Sequence, residues 1–520
     1  MTAGSDLTVV VPTHRRPEIL DRTLTALASQ SVGGFETIVV VDGAGEVPAG
    51  HDVTVVEQAH AGPGAARNNG ASRSRRPLLL FLGDDMIPTP NLVAEHLRWH
   101  ERRPDDRVAV LGHVDWHPSV ASSALHRWLD WSSTQFDYVN LAGLAGSDVG
   151  FGRFYSCNVS LKRSLYERVG GFDEDFVMYY EDLDMGWRLA EEGLELVYEP
   201  AALVHHLHDY DLAGIRRRFE GIALGERIMA HKHPWFEPWF RARVEAALAK
   251  PSVGWAGRVA THIVDRAPAI GGLGTRLERA ANRWYLEEVG PAYLEQWERA
   301  EAVTELMDYL GEDFEGRGLI SGAEDVDREA AAAPDELTFY RTSRAYLYDL
   351  TVFELSPTKD PYLDALRSLI GPGARILDYG CGIGSDGLRL LAEGYDVAFA
   401  DFDNPSTEYL RWRLARRGSD ATVYDVENDE IPPGFELAYS FDVIEHVADP
   451  IGFLERMEAV ADVVLVNLLE EDEHDHDHDL HHDLPIDEIV ARAESRGLLA
   501  RSLHHGRSHL LAWRGRSADS

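Results

Sequence analysis

The sequence predicts an α/β protein with two separate mostly parallel sheets and a helical stretch between them. Three observations carry this. Near the amino end, short valine-rich runs such as LTVVVP (7–12) and TIVVV (37–41) alternate with apolar residues at helical spacing. The same alternation returns at RILDY (375–379), followed by VAFA and SFDVIEHV. Between the two regions, LERAANRWYLEEV and YLEQWERAEAVTELMDYL repeat apolar residues three and four apart, which is a helical period.

Composition bounds the function. With 520 residues, 44% of them apolar, the chain holds about two to four ordinary domains. Its 50 basic and 88 acidic side chains give 50 − 88 = −38. That charge repels nucleic acid and anionic lipid at long range, so an anionic substrate must be met locally, by metal or arginine. Lysine occurs only as Lys162, Lys232, Lys250 and Lys359. Cys157 and Cys381 stand far apart, which argues against a disulfide framework and fits a reducing compartment. No signal peptide precedes Leu7 and no apolar run approaches the roughly 18 residues of a membrane helix, so we expect a cytoplasmic protein.

In the first domain, taken as residues 1–235, the run 7–12 ends in the polar Thr13, His14, Arg15 and Arg16, and Ile19, Leu20, Leu24 and Leu27 follow as a helix. The next run stops at Asp42 and Gly43, completing a strand–helix–strand unit. After a third strand at 53–56, GPGAARNNGA sets glycines ahead of Arg67 and Asn68, and a guanidinium there suits bidentate contact with a diphosphate. FLGDDMIPTP (81–90) then thrusts Asp84 and Asp85 from the carboxyl end of a buried strand. Ligands gather at such strand ends, and two carboxylates there suit a hard divalent ion, although the same pair suits a turn before a helix near Asn91. Glu181, Asp182 and Asp184 open a helix, where acids complement the backbone dipole. Arg216, Arg217 and Arg218 begin an amphipathic helix suited to a solvated face or a phosphate-bearing acceptor.

VVVPTHRRP, VVVDG, GPGAARNNG, FLGDDMIPTPNLV, FYSCNVSLKRSLYERVGGFDEDF and YYEDLDMGWRLAEEG, in that order, resemble the motifs of family 2 glycosyltransferases with the GT-A fold, over residues 6–235. The resemblance implies that Pro12, Thr13, Arg15 and Asp42 line a nucleotide pocket, with Arg67 near the diphosphate. It implies that Asp85, with Asp84, holds Mg²⁺ or Mn²⁺ on a UDP-, GDP- or dTDP-sugar. In that family the acidic helix supplies the base that takes the acceptor's proton, here Asp182, with Glu181 the runner-up, and one base without a covalent intermediate inverts the anomeric centre. A histidine after the acidic helix completes the metal site, which makes His205 or His206 the candidate. Gly83 and Val41 depart from the family, standing where acids are common.

Residues 236–335 carry no catalytic pattern and read as a helical spacer, with acceptor binding the sharper alternative. In the third region, 336–520, RILDY runs into Gly380, Cys381, Gly382, Ile383 and Gly384, and Asp401 follows about 20 residues on, where an acid takes ribose hydroxyls. The order resembles class I S-adenosylmethionine-dependent methyltransferases over about 336–516. It implies that Asp378, Gly380, Gly382 and Gly384 cradle the methionine moiety, that Asp401 holds the ribose and that Asp425 lies by the adenine. O-methylation needs a base at the acceptor oxygen, and His446 is one candidate. The run from Glu470 to Leu484 offers more, and we expect His481 or His482 to face the acceptor, with His505 and His509 further choices.

The combined expectation is a bifunctional transferase that adds a sugar and methylates the same or a related product, acting on a glycan or small-molecule acceptor and not on nucleic acid. A lipid-linked acceptor and a homo-oligomer both stay open. The rival reading makes the C-terminal domain a non-catalytic binding or dimerisation module.

Overall fold

The computed structural model describes residues 4–121, 123–266, 271–470 and 481–515, with backbone alone at 265, 266 and 271–275. It divides into two compact units: residues up to 304 with 314–320, and residues 305–313 with those from 321 onward.

The first unit is built on eight strands: β1 (Leu7–Thr13), β2 (Glu36–Asp42), β3 (Thr54–Gln58), β4 (Leu78–Leu82), β5 (Met86–Pro88), β6 (Val108–Trp116), β7 (Asn158–Lys162) and β8 (Glu195–His206). Their order across the sheet is β3-β2-β1-β4-β7-β6-β8-β5. The first four form a parallel block, and β7 joins β4 antiparallel. Every residue of β4 is buried, as a strand covered on both faces requires. All the polar ends of this block open on the same sheet edge, so Thr13, Asp42 and the pair Asp84–Asp85 emerge together.

β8 is long for a strand that contains a proline. Its register against β6 breaks after Glu199 and resumes at Leu203, a bulge that takes in Pro200, and the strand then continues to His206, paired with β5. Proline is tolerated at such a bulge because no ladder bond is asked of it there.

The helical region is not a uniform spacer. Helices Leu212–Lys232, Trp239–Leu248 and Gly271–Arg299 share a buried cluster with Trp116 and Trp128, in which Phe219, Val244, Val289 and Tyr293 are shut from solvent or nearly so. That places one face of each of these helices in the core of the first unit. Residues 321–335 belong to the second.

The second unit holds β9 (Arg375–Tyr379), β10 (Asp396–Asp401), β11 (Val423–Asp425), β12 (Phe435–Ser440), β13 (Ala461–Leu469), β14 (Leu498–His504) and β15 (Ser508–Arg514), in the order β11-β10-β9-β12-β13-β15-β14. Only β15 runs against the others, pairing antiparallel with β13 on one side and β14 on the other. The strand order reverses between β9 and β12, and a ligand crevice belongs at that switch point.

Candidate active sites

The first unit contains a cleft of about 1470 Å³ whose lining includes Arg16, Arg67, Asp85, Glu181, Asp182, His206 and His208. Asp85 is 8% exposed, and one of its oxygens lies 3.4 Å from both His206 Nε2 and His208 Nδ1 and 3.0 Å from Arg16 Nη1. The ligand atoms of Asp85, His206 and His208 all fall within 4.8 Å of one another. Burial pushes the Asp85 carboxyl up, but the two imidazoles and Arg16 outweigh it and hold the group well below the usual carboxylate range. Asp84 behaves differently. It accepts a 2.8 Å hydrogen bond from Thr13 Oγ1, and burial together with the neighbouring Asp85 charge pushes it up to about 6.

The bulge in β8 decides which histidine joins. Side chains alternate along a strand, so His206 turns inward beside Asp85 while His205 turns to the other face, where its ring lies 6.4 Å from that of His117. His208, two residues on, returns to the His206 side and stacks on Tyr210 at 4.1 Å. His208 is thus a third candidate ligand beyond Asp85 and His206. The signal was there, since His206-Leu207-His208 has the period of a strand. His206 Nδ1 is buried with no partner among the described residues.

The other residues expected to bind the nucleotide are spread unevenly. Pro12 is half-buried on β1. Arg15 is exposed with a left-handed backbone (φ 53°), and the next residue, Arg16, is the one that reaches the acids. Asp42 is buried and clamps the loop after β3: its oxygens accept from Gln58 Nε2, His60 Nδ1 and the backbone N–H groups of Ala61 and Gly62. Arg67 is 6% exposed and pairs with Glu181 at 3.0 Å.

Helix Glu181–Glu191 begins after two residues in the left-handed region, Tyr179 (φ 60°) and Tyr180 (φ 69°), a conformation that costs about 1–3 kcal/mol for each non-glycine residue. The buried Glu226 carboxylate helps hold it, accepting from Tyr180 Oη at 2.9 Å and from the backbone N–H groups of Phe240 and Arg241 that open the next helix. Of the three acids in the first turn, Glu181 is paired with Arg67, and Asp184 with Arg188 at 2.6 Å and His233 at 2.8 Å. Asp182 alone makes no ion pair among the described residues, and it faces the cleft. Burial and the adjacent Glu181 charge push its carboxyl up to about 7, against the pull of Arg67.

In the second unit, Gly380, Gly382 and Gly384 all have positive φ (83°, 51° and 75°) in the turn after β9. A side chain at Gly384 would place its Cβ 2.4 Å from Leu410 Cδ1, so glycine is required by packing as well as by backbone. Asp401 ends β10 and accepts from Gly382 N and Phe402 N, both at 2.7 Å, which fixes the loop. Asp425 ends the neighbouring β11, opposite Asp401, but its carboxylate is taken up within its own turn by Asn428 Nδ2 and Glu427 N. Buried Arg413 donates to Glu305, to Glu354 and to the Ile383 carbonyl in the glycine loop.

Beside that loop, Ser440 Oγ and Glu445 Oε2 are buried without hydrogen-bond partners, and the buried Asp378 carboxyl has the Tyr439 hydroxyl as its neighbour, an arrangement that fits a polar cofactor rather than an apolar core. Burial, with nearby Asp386, pushes Asp378 up to about 8; burial, with Asp442, does the same to Glu445. His446 lies 3.0 Å from Tyr340 Oη and 4.7 Å, ring to ring, from His481. His482 Nε2 is 3.3 Å from Glu336, and its backbone N–H donates to the Glu445 carbonyl. His505 bonds the Thr358 carbonyl and His509 pairs with Glu470. The rest of the His/Asp run, 471–480, lies outside the described residues.

The first unit is thus a GT-A-type domain and the second a class I methyltransferase-type domain, joined through helices. Residues 8–168 match glycosyl transferase family 2, and residues 351–499 match a methyltransferase domain family; the chain carries both domains. It is 32% identical over 224 residues to validoxylamine A glucosyltransferase of Streptomyces hygroscopicus subsp. limoneus, covering 36% of this chain and 49% of the relative. It is likewise 32% identical over 244 residues to pre-mycofactocin glycosyltransferase of Mycobacterium tuberculosis, covering 44% and 48%. The chain spans about half the length of these relatives. Among solved structures, a mannosyltransferase from Pyrobaculum calidifontis in complex with GDP-Man and Mn²⁺ aligns with a TM-score of 0.37 at 18% identity, over 56% of this chain and 89% of that one.

Proposed function

We propose that the chain is a bifunctional enzyme: a metal-dependent, inverting glycosyltransferase joined to an S-adenosylmethionine-dependent O-methyltransferase acting on the same or a related sugar product. The observation that carries the first half is the division of labour in one cleft. A carboxylate and two imidazoles converge at one place in its lining, and Asp182 joins the same lining as the unpaired acid of its helix.

The donor set of Asp85, His206 and His208 fits a divalent ion that accepts both oxygen and imidazole ligands, which favours Mn²⁺ over Mg²⁺. When bound, such an ion would neutralise the charge developing on the leaving nucleoside diphosphate. Arg16 supplies a second positive charge on the same side. Asp182, half ionised near neutrality, takes the proton of the attacking hydroxyl. Glu181, locked to Arg67, raises the basicity of Asp182 and is not itself the base.

In the second unit, the turn of Gly380, Gly382 and Gly384, held by Asp401, is the receptor for S-adenosylmethionine, and the Asp378 carboxyl at the end of β9 supplies the acid that suits the cofactor's ammonium group. His446 and His482 lie beside the buried Glu445 and supply the acceptor-side base. Joining the domains raises the effective concentration of one product at the second site.

The test is incubation of the full chain with Mn²⁺ and a panel of UDP-, GDP- and dTDP-sugars, with methyl-labelled S-adenosylmethionine and candidate acceptors. Release of one nucleotide, with the label entering the glycosylated product or its precursor, supports the reading. No release from any donor, or a label that never enters that product, refutes the corresponding half.

A further inference from the structure

We propose that Arg217, Arg218 and Arg243, which line the first unit's cleft together with Trp239, bind an oxyanion carried by the sugar acceptor. The inference rests on the glycosyltransferase reading and names the acceptor's chemistry. In a protein of net charge −38, arginines find carboxylates readily, as Arg67 and Arg188 do in this same unit. These three do not: none makes an ion pair among the described residues, although all line the cleft.

Their contacts are with rings and neutral groups instead. The Arg218 guanidinium donates to Tyr210 Oη at 2.9 Å and lies 5.1 Å from the centre of the Tyr179 ring, with its Nε buried and unpartnered. Arg243 lies 4.3 Å over Trp239, makes one long 3.4 Å contact with Asn282 Oδ1, and has a buried, unpartnered Nη1. Burial alone pulls the Arg243 guanidinium down to about 10. Glu220 is close enough for Arg217 to feel its charge but not in contact.

Arg218 feels the Asp182 charge but makes no contact with it, and keeping the partly buried Arg218 and Arg243 guanidinium groups without a carboxylate in contact is costly, a cost an incoming oxyanion reduces. Trp239, 45% exposed, carries Arg243 over one face of its ring and is suited to meeting a sugar ring with the rest of its surface. The donor's own diphosphate is the competing source of oxyanion, and it has a different receptor in Arg16 and the Asp85–His206–His208 cluster.

The experiment is calorimetric titration of the full chain with glucose 6-phosphate and with methyl glucoside, and separately with UDP, GDP and dTDP in Mn²⁺. We expect glucose 6-phosphate to bind at least about tenfold more tightly than methyl glucoside, a margin erased in Arg217→Gln and Arg243→Gln and partly kept in Arg243→Lys. Nucleoside diphosphate affinity should change less than about twofold in the same variants. Arg217 is exposed, so its replacement leaves the fold intact. The proposal is overturned if wild type binds the two sugars equally or neither, or if the variants lose nucleoside diphosphate in step with the sugar phosphate. If wild type binds no nucleoside diphosphate, the transferase reading itself fails, and with it the assignment to an acceptor.

Discussion

Replacing Asp182 by asparagine keeps the shape of the side chain and removes its basicity. Of the acids at the head of its helix it is the one without an ion pair, so the fold depends on its charge less than on that of Asp184, which is tied to Arg188 and His233. Burial and the Glu181 charge raise the carboxyl to about 7, so it is protonated and inactive well below neutrality and ionised above it. The ionised fraction climbs from about 9% at pH 6 to about 91% at pH 8, and kcat/KM for sugar transfer should rise about tenfold across that window before levelling. Asp182→Asn should lower kcat by about 10²- to 10⁴-fold and abolish the rise. Glu181→Gln removes the like charge and frees Arg67, and both effects lower the Asp182 pKa, so the rise should move to lower pH. The assay is initial rate of nucleotide release at saturating Mn²⁺ from pH 5.5 to 9. A flat profile, or an Asp182→Asn variant within about threefold of wild type, would refute the assignment, since general-base loss costs far more.

Three further outcomes follow from the geometry. His206→Ala and His208→Ala should each weaken Mn²⁺ binding by about 100-fold, the upper end of what even outer-sphere partners cost, while His205→Ala changes it little; titration followed by electron paramagnetic resonance reads this directly. Arg413→Met removes the cation from the partly buried Glu354 and leaves Glu305 to Arg417 alone, and should cost about 3 kcal/mol, the lower end for breaking a buried pair, in the denaturant unfolding of the second unit. Gly384→Ala forces a Cβ to within 2.4 Å of Leu410 at a left-handed position, and calorimetry should show S-adenosylmethionine binding lost while nucleotide binding in the first unit is kept.

How much of this was legible in the sequence depends on whether a local rule was enough. The parallel strands were legible because a strand covered on both faces must be a continuous apolar run, as LLLFL in β4 is. The glycine loop after β9 was legible because positive φ at 380, 382 and 384 demands glycine. The histidines were not fully so. Pro200 reads as the end of a strand, yet β8 absorbs it in a bulge and continues, and only that continuation sets His206 and His208 on one face and His205 on the other. Arg15 and Arg16 are indistinguishable by sequence. A left-handed backbone at Arg15 is what sends Arg16 to the acids, and no residue pattern announces it. The helices of 236–304 have the right period, but which unit buries their apolar stripe is a tertiary matter, settled by Phe219, Val244 and Tyr293 meeting in one cluster.

The central claim is that Asp85 anchors a cation without which the nucleotide cannot leave. The most direct measurement is the rate of nucleotide release from the preferred sugar donor by wild type and by Asp85→Asn, each with added Mn²⁺ and each with chelator. We predict that wild type is active only with the ion and that Asp85→Asn is nearly inactive under both conditions. Equal rates for the two proteins, with an unchanged response to Mn²⁺, would contradict the account.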